Sequence, residues 1–212
     1  MLEYANRMKN LTASEIRELL KVADRPEVLS FAGGLPAAEL FPIKEMAAAG
    51  ASVLKNNGEK ALQYSTTEGF LPLREWVAKR ENKRIGTELT ADNILITHGS
   101  QQALDLVGKL LINKDDVVLC ESPTYLAALN VFKTFEGRMI EVQTDQDGMI
   151  VSDLERILAT TANVKLIYVI PTFQNPSGKT WSFERKKQIL AVADRYDIAV
   201  IEDAPYEELR YS

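Results

Sequence analysis

From Asn93 onward, short apolar runs alternate with stretches of helical periodicity, and few folds accommodate that pattern. The runs are Ile94–Thr97, Val117–Cys120, Met139–Val142, Leu166–Ile170 and Ile198–Ile201. Helical spacing is carried by Gln101–Ile112, Tyr125–Phe135, Val151–Thr160 and Phe183–Tyr196. A short run with no polar alternation reads as a strand buried on both faces. The pattern therefore predicts an α/β fold, a mostly parallel sheet with helices on both faces and right-handed crossovers. In open sheets of this kind ligands bind beyond the carboxyl ends of the strands, so the residues just after each run are where chemistry is to be sought.

The first ninety residues follow a different pattern. Leu11–Asp24 reads as a helix with a Thr12/Glu15 capping box and an apolar stripe of Ile16, Leu19, Leu20 and Ala23. Ser14 and Arg17 lie off that stripe and, three residues apart, share a face open to a ligand or to water. In Leu29–Pro36, adjacent Gly33 and Gly34 permit either a tight turn or close backbone approach to a ligand. Ile43–Asn57 is expected to be a helix stopped by Asn57-Gly58, and Leu71–Arg84 another stopped at Gly86. Between them the polar loop Gln63–Gly69 presents Tyr64, for packing or for function. The soft boundary of the chain falls near residues 86 to 92.

At the strand ends the residue types become specific. The first run leads through THGSQQ into a helix, where Gly99 permits a sharp turn and Ser100 and Gln101 stand with the first helical N–H groups, a place suited to an anion. It is neither a G-x-G-x-x-G fingerprint nor a Walker A loop. Tyr125, in ESPTY, can lie against a flat ligand or pack into the sheet–helix interface. Pro176 biases Asn175, in PTFQNPSG, out of the helical region, and the turn that follows presents its amide. After the last run, Asp203 and Tyr206 can grip one planar ligand, or serve as a helix cap and a packed ring.

Composition excludes several function classes. The net charge of −5 is spread over both signs with no basic block, so neither nucleic acid nor an anionic membrane is an expected partner. No apolar run approaches the ~20 residues of a membrane span. His98 is the only histidine and Cys120 the only cysteine, so no metal site is expected. Cys120 falls in an apolar run and reads as a buried structural thiol. With no disulfide and no signal-peptide core in MLEYANRMKN, the expected compartment is the cytoplasm.

The ordered series FAGGLP, YSTTEGFLPLRE, GSQQALD, SPTY, PTFQNPSG and EDAPY closely resembles the fold-type I pyridoxal 5′-phosphate enzymes of aminotransferase class I/II. The likeness runs through the whole chain and is greatest to the branch with 2-aminoadipate, aromatic and multisubstrate aminotransferases. It implies an enzyme that moves an amino group from an amino acid to a 2-oxo acid. Gly99, Ser100 and Gln101 then match the residues that hold the cofactor phosphate, and Tyr125 the ring that stacks on the pyridine. Asn175 and Tyr206 match the donors to its phenolate oxygen, and Asp203 the carboxylate paired with the ring nitrogen.

On the substrate side, Gly34 and Asn175 match substrate contacts, and Ser14 and Arg17 a mobile helix that recognises side chains. Tyr64 matches a tyrosine reaching into a neighbouring subunit, implying a homodimer with shared sites. The implied division is residues 1–42 as N-terminal helix and active-site arm, and 43–212 as the cofactor-binding large domain. One element of the family pattern has no counterpart. The Schiff-base lysine, in an S-x-S-K context a few tens of residues after D-x-x-Y, would lie beyond Ser212, so no catalytic residue is assigned and the chain reads as the N-terminal portion of the enzyme. Two alternatives share the fold: the effector-binding domain of a transcription regulator, and another pyridoxal-phosphate enzyme such as a lyase or decarboxylase.

Overall fold

The computed structural model describes residues 2–10, 27–29 and 34–211. The helix expected at Leu11–Asp24, with Ser14 and Arg17, lies outside the described residues. The chain forms two compact units, residues 13–97 and residues 1–12 with 98–212.

In the unit of residues 13–97, α1 spans Ile43–Ala61 and α2 spans Leu71–Ile85. The helix expected to stop at Asn57 continues past it. Asn57 leaves helical geometry at φ −143° and ψ 23°, so the Asn-Gly pair bends the helix without ending it. Gly86 ends α2 in the left-handed conformation, φ 71°, and its N–H reaches the Asn82 carbonyl. Arg74 of α2 is buried, donating from Nε to the Gly69 carbonyl at 3.2 Å and from Nη1 to the Ala91 carbonyl at 3.0 Å. It thus ties the end of the Tyr64 loop to the turn Ala91–Asn93.

Ile94–Thr97 does not form the expected strand. An apolar run becomes a strand only when a neighbouring strand takes its backbone groups. Here the Ile96 N–H bonds instead to the carbonyl of Glu68, in the loop before α2.

The other unit carries the predicted sheet. Helices α3 (Ser100–Leu111), α4 (Leu126–Thr134), α5 (Val151–Thr160) and α6 (Phe183–Arg195) alternate with strands β1 (Val117–Glu121), β2 (Arg138–Val142), β5 (Val164–Val169) and β6 (Ala199–Glu202). Between β2 and α5 a short hairpin, β3 (Thr144–Asp145) and β4 (Gly148–Met149), was not anticipated. The main sheet has the order β2-β1-β5-β6, every neighbouring pair parallel.

Successive residues of β1 enter different cores, as the pleat requires. Val117 and Leu119 pack with Leu154 and Ile157 of α5 and Ile189 and Val192 of α6. Val118 and Cys120 pack on the opposite face with Leu104 of α3 and Ala128 and Phe132 of α4. All five β1 residues are buried, which explains why the run shows no polar alternation. Cys120 is a buried free thiol, as expected. Burial, followed by the nearby charges of Glu141 and Glu121, pushes its pKa up to about 12, so it is inert as a nucleophile.

Candidate active site at the strand ends

Ser100, Tyr125, Asn175, Asp203 and Tyr206, together with Ile170 and Pro205, line one cavity of about 130 Å³. They arrive on four connections: Tyr125 after β1, Asn175 after β5, Asp203 and Tyr206 together after β6, and Ser100 after the apolar run Ile94–Thr97, so that three of the four leave carboxyl ends of the parallel sheet. Gly99 precedes α3 at φ 81°, with open space where a Cβ would project. Ser100 therefore begins α3 at the cavity, at the helix's positive end. Gln101, one residue further, lines a neighbouring depression with His98, Gln102, Asp105 and Asn130. Gly34, at φ 56°, and Tyr64, fully exposed, belong to the other unit.

Asp203 is held by β5. Its N–H donates to the Val169 carbonyl at 2.9 Å, continuing the β5–β6 ladder, and its Oδ2 accepts from the Tyr168 hydroxyl at 2.8 Å. A turn, not a helix, follows it, so the helix-cap alternative does not apply.

Asn175 sits on a loop closed upon itself. Gln174 accepts at its carbonyl from Gly178, accepts at Oε1 from the Ser177 N–H at 2.7 Å, and donates from Nε2 to the Pro123 carbonyl at 2.7 Å. The base of the loop is clamped by one carboxylate. Glu121, 2% exposed at the end of β1, accepts at Oε2 from the Ile170 N–H and at Oε1 from the Trp181 indole, each at 2.8 Å. Sequence reading missed both Glu121 and Tyr168. The available signals were an acid ending an otherwise apolar strand and one hydroxyl inside the run Leu166–Ile170.

Burial raises the Glu121 pKa above its ordinary 4.5, while the Ile170 N–H, the Trp181 indole and the Gln174 amide oppose the shift. The folded chain therefore holds this proton more tightly than the unfolded chain. The resulting stabilisation is fully present below the ordinary value and is lost as pH rises from there through the raised value. Glu121→Gln should remove that pH dependence. It should also cost about 2 kcal/mol, because an amide offers one acceptor oxygen where two donors point. Urea midpoints measured against pH for both proteins check this: curves that run parallel across the carboxylate range would contradict it.

Among the described residues no cluster of His, Cys, Asp or Glu could hold a metal ion, and no helix is long and apolar enough to cross a membrane. The His98 ring is exposed, its Nδ1 3.2 Å from Gln102 Oε1.

Residues 26–212 match the family model for aminotransferase class I and II. The chain is 44% identical to aromatic-amino-acid aminotransferase 1 of Thermococcus litoralis, over 99% of its own length and 51% of that protein's. Kynurenine aminotransferase of Pyrococcus horikoshii, solved with PMP, superposes with a TM-score of 0.90 at 44% identity, covering 99% of this chain and 52% of that one. The α-aminoadipate aminotransferase LysN of Thermus thermophilus, solved with N-(5′-phosphopyridoxyl)-L-leucine, gives 0.82 at 40% identity, covering 94% and 48%. The chain thus spans about half the length of the relatives it matches. With its sheet order, its strand-end cavity and these likenesses, the chain belongs to the aminotransferase class I and II family.

Proposed function

We propose that this chain forms the pyridoxal 5′-phosphate half-site of an aminotransferase that moves an amino group from an amino acid of the 2-aminoadipate, aromatic or branched type to a 2-oxo acid. The observation that carries the reading is the convergence of Ser100, Tyr125, Asn175, Asp203 and Tyr206 on one cavity in a chain of this family.

The donor set fits the cofactor. Gly99, Ser100 and the first turn of α3, with Gln101, would hold the phosphate, and the open space at Gly99 leaves room for it. Tyr125 would cover the ring, Asn175 and Tyr206 would donate to its phenolate oxygen, and Asp203 would face its nitrogen. When bound, the cofactor supplies an electron sink for the pair left as the amino acid loses its α-proton. What the protein contributes is orientation: Asp203 holds a proton at the ring nitrogen, and the loop based on Glu121 sets the Asn175 amide. Substrate contacts are proposed for Gly34, Asn175, Tyr64, Ser14 and Arg17, with Tyr64 serving a partner subunit's site in a cytoplasmic homodimer.

The sequence contains no lysine in an S-x-S-K context, so by itself this chain should hold the cofactor without a covalent link and without turnover. Titration with pyridoxal 5′-phosphate and with pyridoxal tests the reading. The phosphorylated compound should bind at least about tenfold more tightly, since charge-assisted bonds to the phosphate are the strong ones. Borohydride treatment followed by mass spectrometry should reveal no stoichiometric adduct at a unique lysine. Equal affinity for the two compounds, or one dominant labelled lysine, would overturn the assignment.

A further inference from the structure

We propose that Tyr168 is a positioning residue for amino transfer: its hydroxyl fixes the Asp203 carboxylate so that the other carboxylate oxygen, Oδ1, faces the cofactor's ring nitrogen. The inference rests on the cofactor reading above and assigns a role to a side chain outside the cavity.

Tyr168 is fully buried in β5, packed between the sheet and the α3–α4 layer, with its ring edge-on to Phe132 at 5.8 Å between centroids. Such a ring has a single orientation, so its hydroxyl has a fixed position. From there it donates to Asp203 Oδ2 at 2.8 Å, while the neighbouring residue of the same strand, Val169, accepts from the Asp203 N–H at 2.9 Å. Backbone and carboxylate of Asp203 are therefore both referred to one buried strand. An aspartate held only through its backbone would turn about its side-chain torsions and meet the ligand with either oxygen, or neither.

The direction of the bond adds to the placement. Burial, and then the hydrogen bond and charge of Asp203, raise the Tyr168 phenol above its ordinary range, so it remains an O–H donor at any working pH. A donor aimed at Oδ2 occupies that oxygen and leaves Oδ1 as the one to meet the ligand. Preorganisation of this kind places the charge before the ligand arrives.

The test uses two ligands, pyridoxal 5′-phosphate and its analogue with C–H in place of the ring nitrogen. Affinities are measured for the unaltered chain, Asp203→Asn and Tyr168→Phe, with thermal unfolding followed in parallel. The unaltered chain should prefer the natural compound, and Asp203→Asn should abolish that preference. Tyr168→Phe should weaken the natural compound about tenfold, the worth of a hydrogen bond to a charged group, and leave the analogue within about twofold. A tyrosine with a merely structural role would weaken both ligands equally or neither; that result, with Asp203→Asn still abolishing the preference, overturns the inference and leaves the cofactor reading standing. No binding, or no preference in the unaltered chain, overturns the cofactor reading and the inference with it. Should Tyr168→Phe fail to fold, the hydroxyl proton resonance of Tyr168 in the unaltered chain decides. It should shift on binding the natural compound and not the analogue, and equal shifts would sink the proposal.

Discussion

In an aminotransferase containing this chain, Asp203→Asn is expected to slow single-turnover amino transfer by at least ~100-fold while lowering thermal stability little. Asparagine keeps the shape of aspartate, and its amide oxygen can still accept from the Tyr168 hydroxyl, so the bond that anchors the side chain to β5 survives. The negative charge does not. A buried charge next to a protonated ring nitrogen is commonly worth several kcal/mol, and each ~1.4 kcal/mol on the barrier is a factor of about ten. Cofactor affinity should fall much less than the rate, because the phosphate, the Tyr125 ring and the Asn175 and Tyr206 contacts remain. A stable variant with an unchanged single-turnover rate would remove Asp203 from the proposed site.

The second large effect is one of stability. Gly148→Val should destabilise the fold by about 4 kcal/mol or more, enough to unfold a marginal domain. Gly148 has φ 111°, where side chains other than hydrogen are strained, and a Cβ there would overlap the indole ring of Trp181. Moving that ring breaks its bond to Glu121 and opens the base of the Asn175 loop. Overpacking, backbone strain and a buried carboxylate stripped of a donor then add together. Gly178→Ala provides the comparison. Its φ of 71° carries strain, but a Cβ would meet nothing within 4 Å, so the cost should stay near ~1 kcal/mol. Chemical denaturation of the two variants separates crowding from backbone strain; similar losses would mean that Trp181 yields freely.

What could be read from the sequence divides along a physical line. Strand ends were legible because a parallel sheet buries its strands on both faces and exposes its connections, so the switch from IAVI to EDAPY marks a boundary in composition. The same contrast located Ser100, Tyr125 and Asn175. Tyr168 and Glu121 were not legible. The partner of Tyr168 lies 35 residues away, those of Glu121 49 and 60 residues away, and nothing local distinguishes a core tyrosine from one that orients a carboxylate. Ile94–Thr97 erred in the other direction, since apolarity describes burial, whereas a strand also needs a backbone partner. The two-residue strands of the hairpin at Thr144–Met149 are too short to show any periodicity. At Asn57 the local stop signal was real, and the helix absorbed it as a bend.

The sheet order also dictates a timetable. β1 pairs with β5, with α4, β2, the hairpin and α5 lying between them in sequence, and β6 joins only at the outer side of β5. The central pairing therefore needs a large loop to close before any contact rewards it, which makes parallel sheets slow to form. During synthesis the chain must be extended beyond Val169 before β1 gains its second neighbour. Glu121, at the tip of β1, waits longer still, for Ile170 and then for Trp181. The cavity is thus among the later features of this sheet to form, and a nascent chain arrested before β6 would carry a buried Tyr168 hydroxyl with no carboxylate to accept its hydrogen bond.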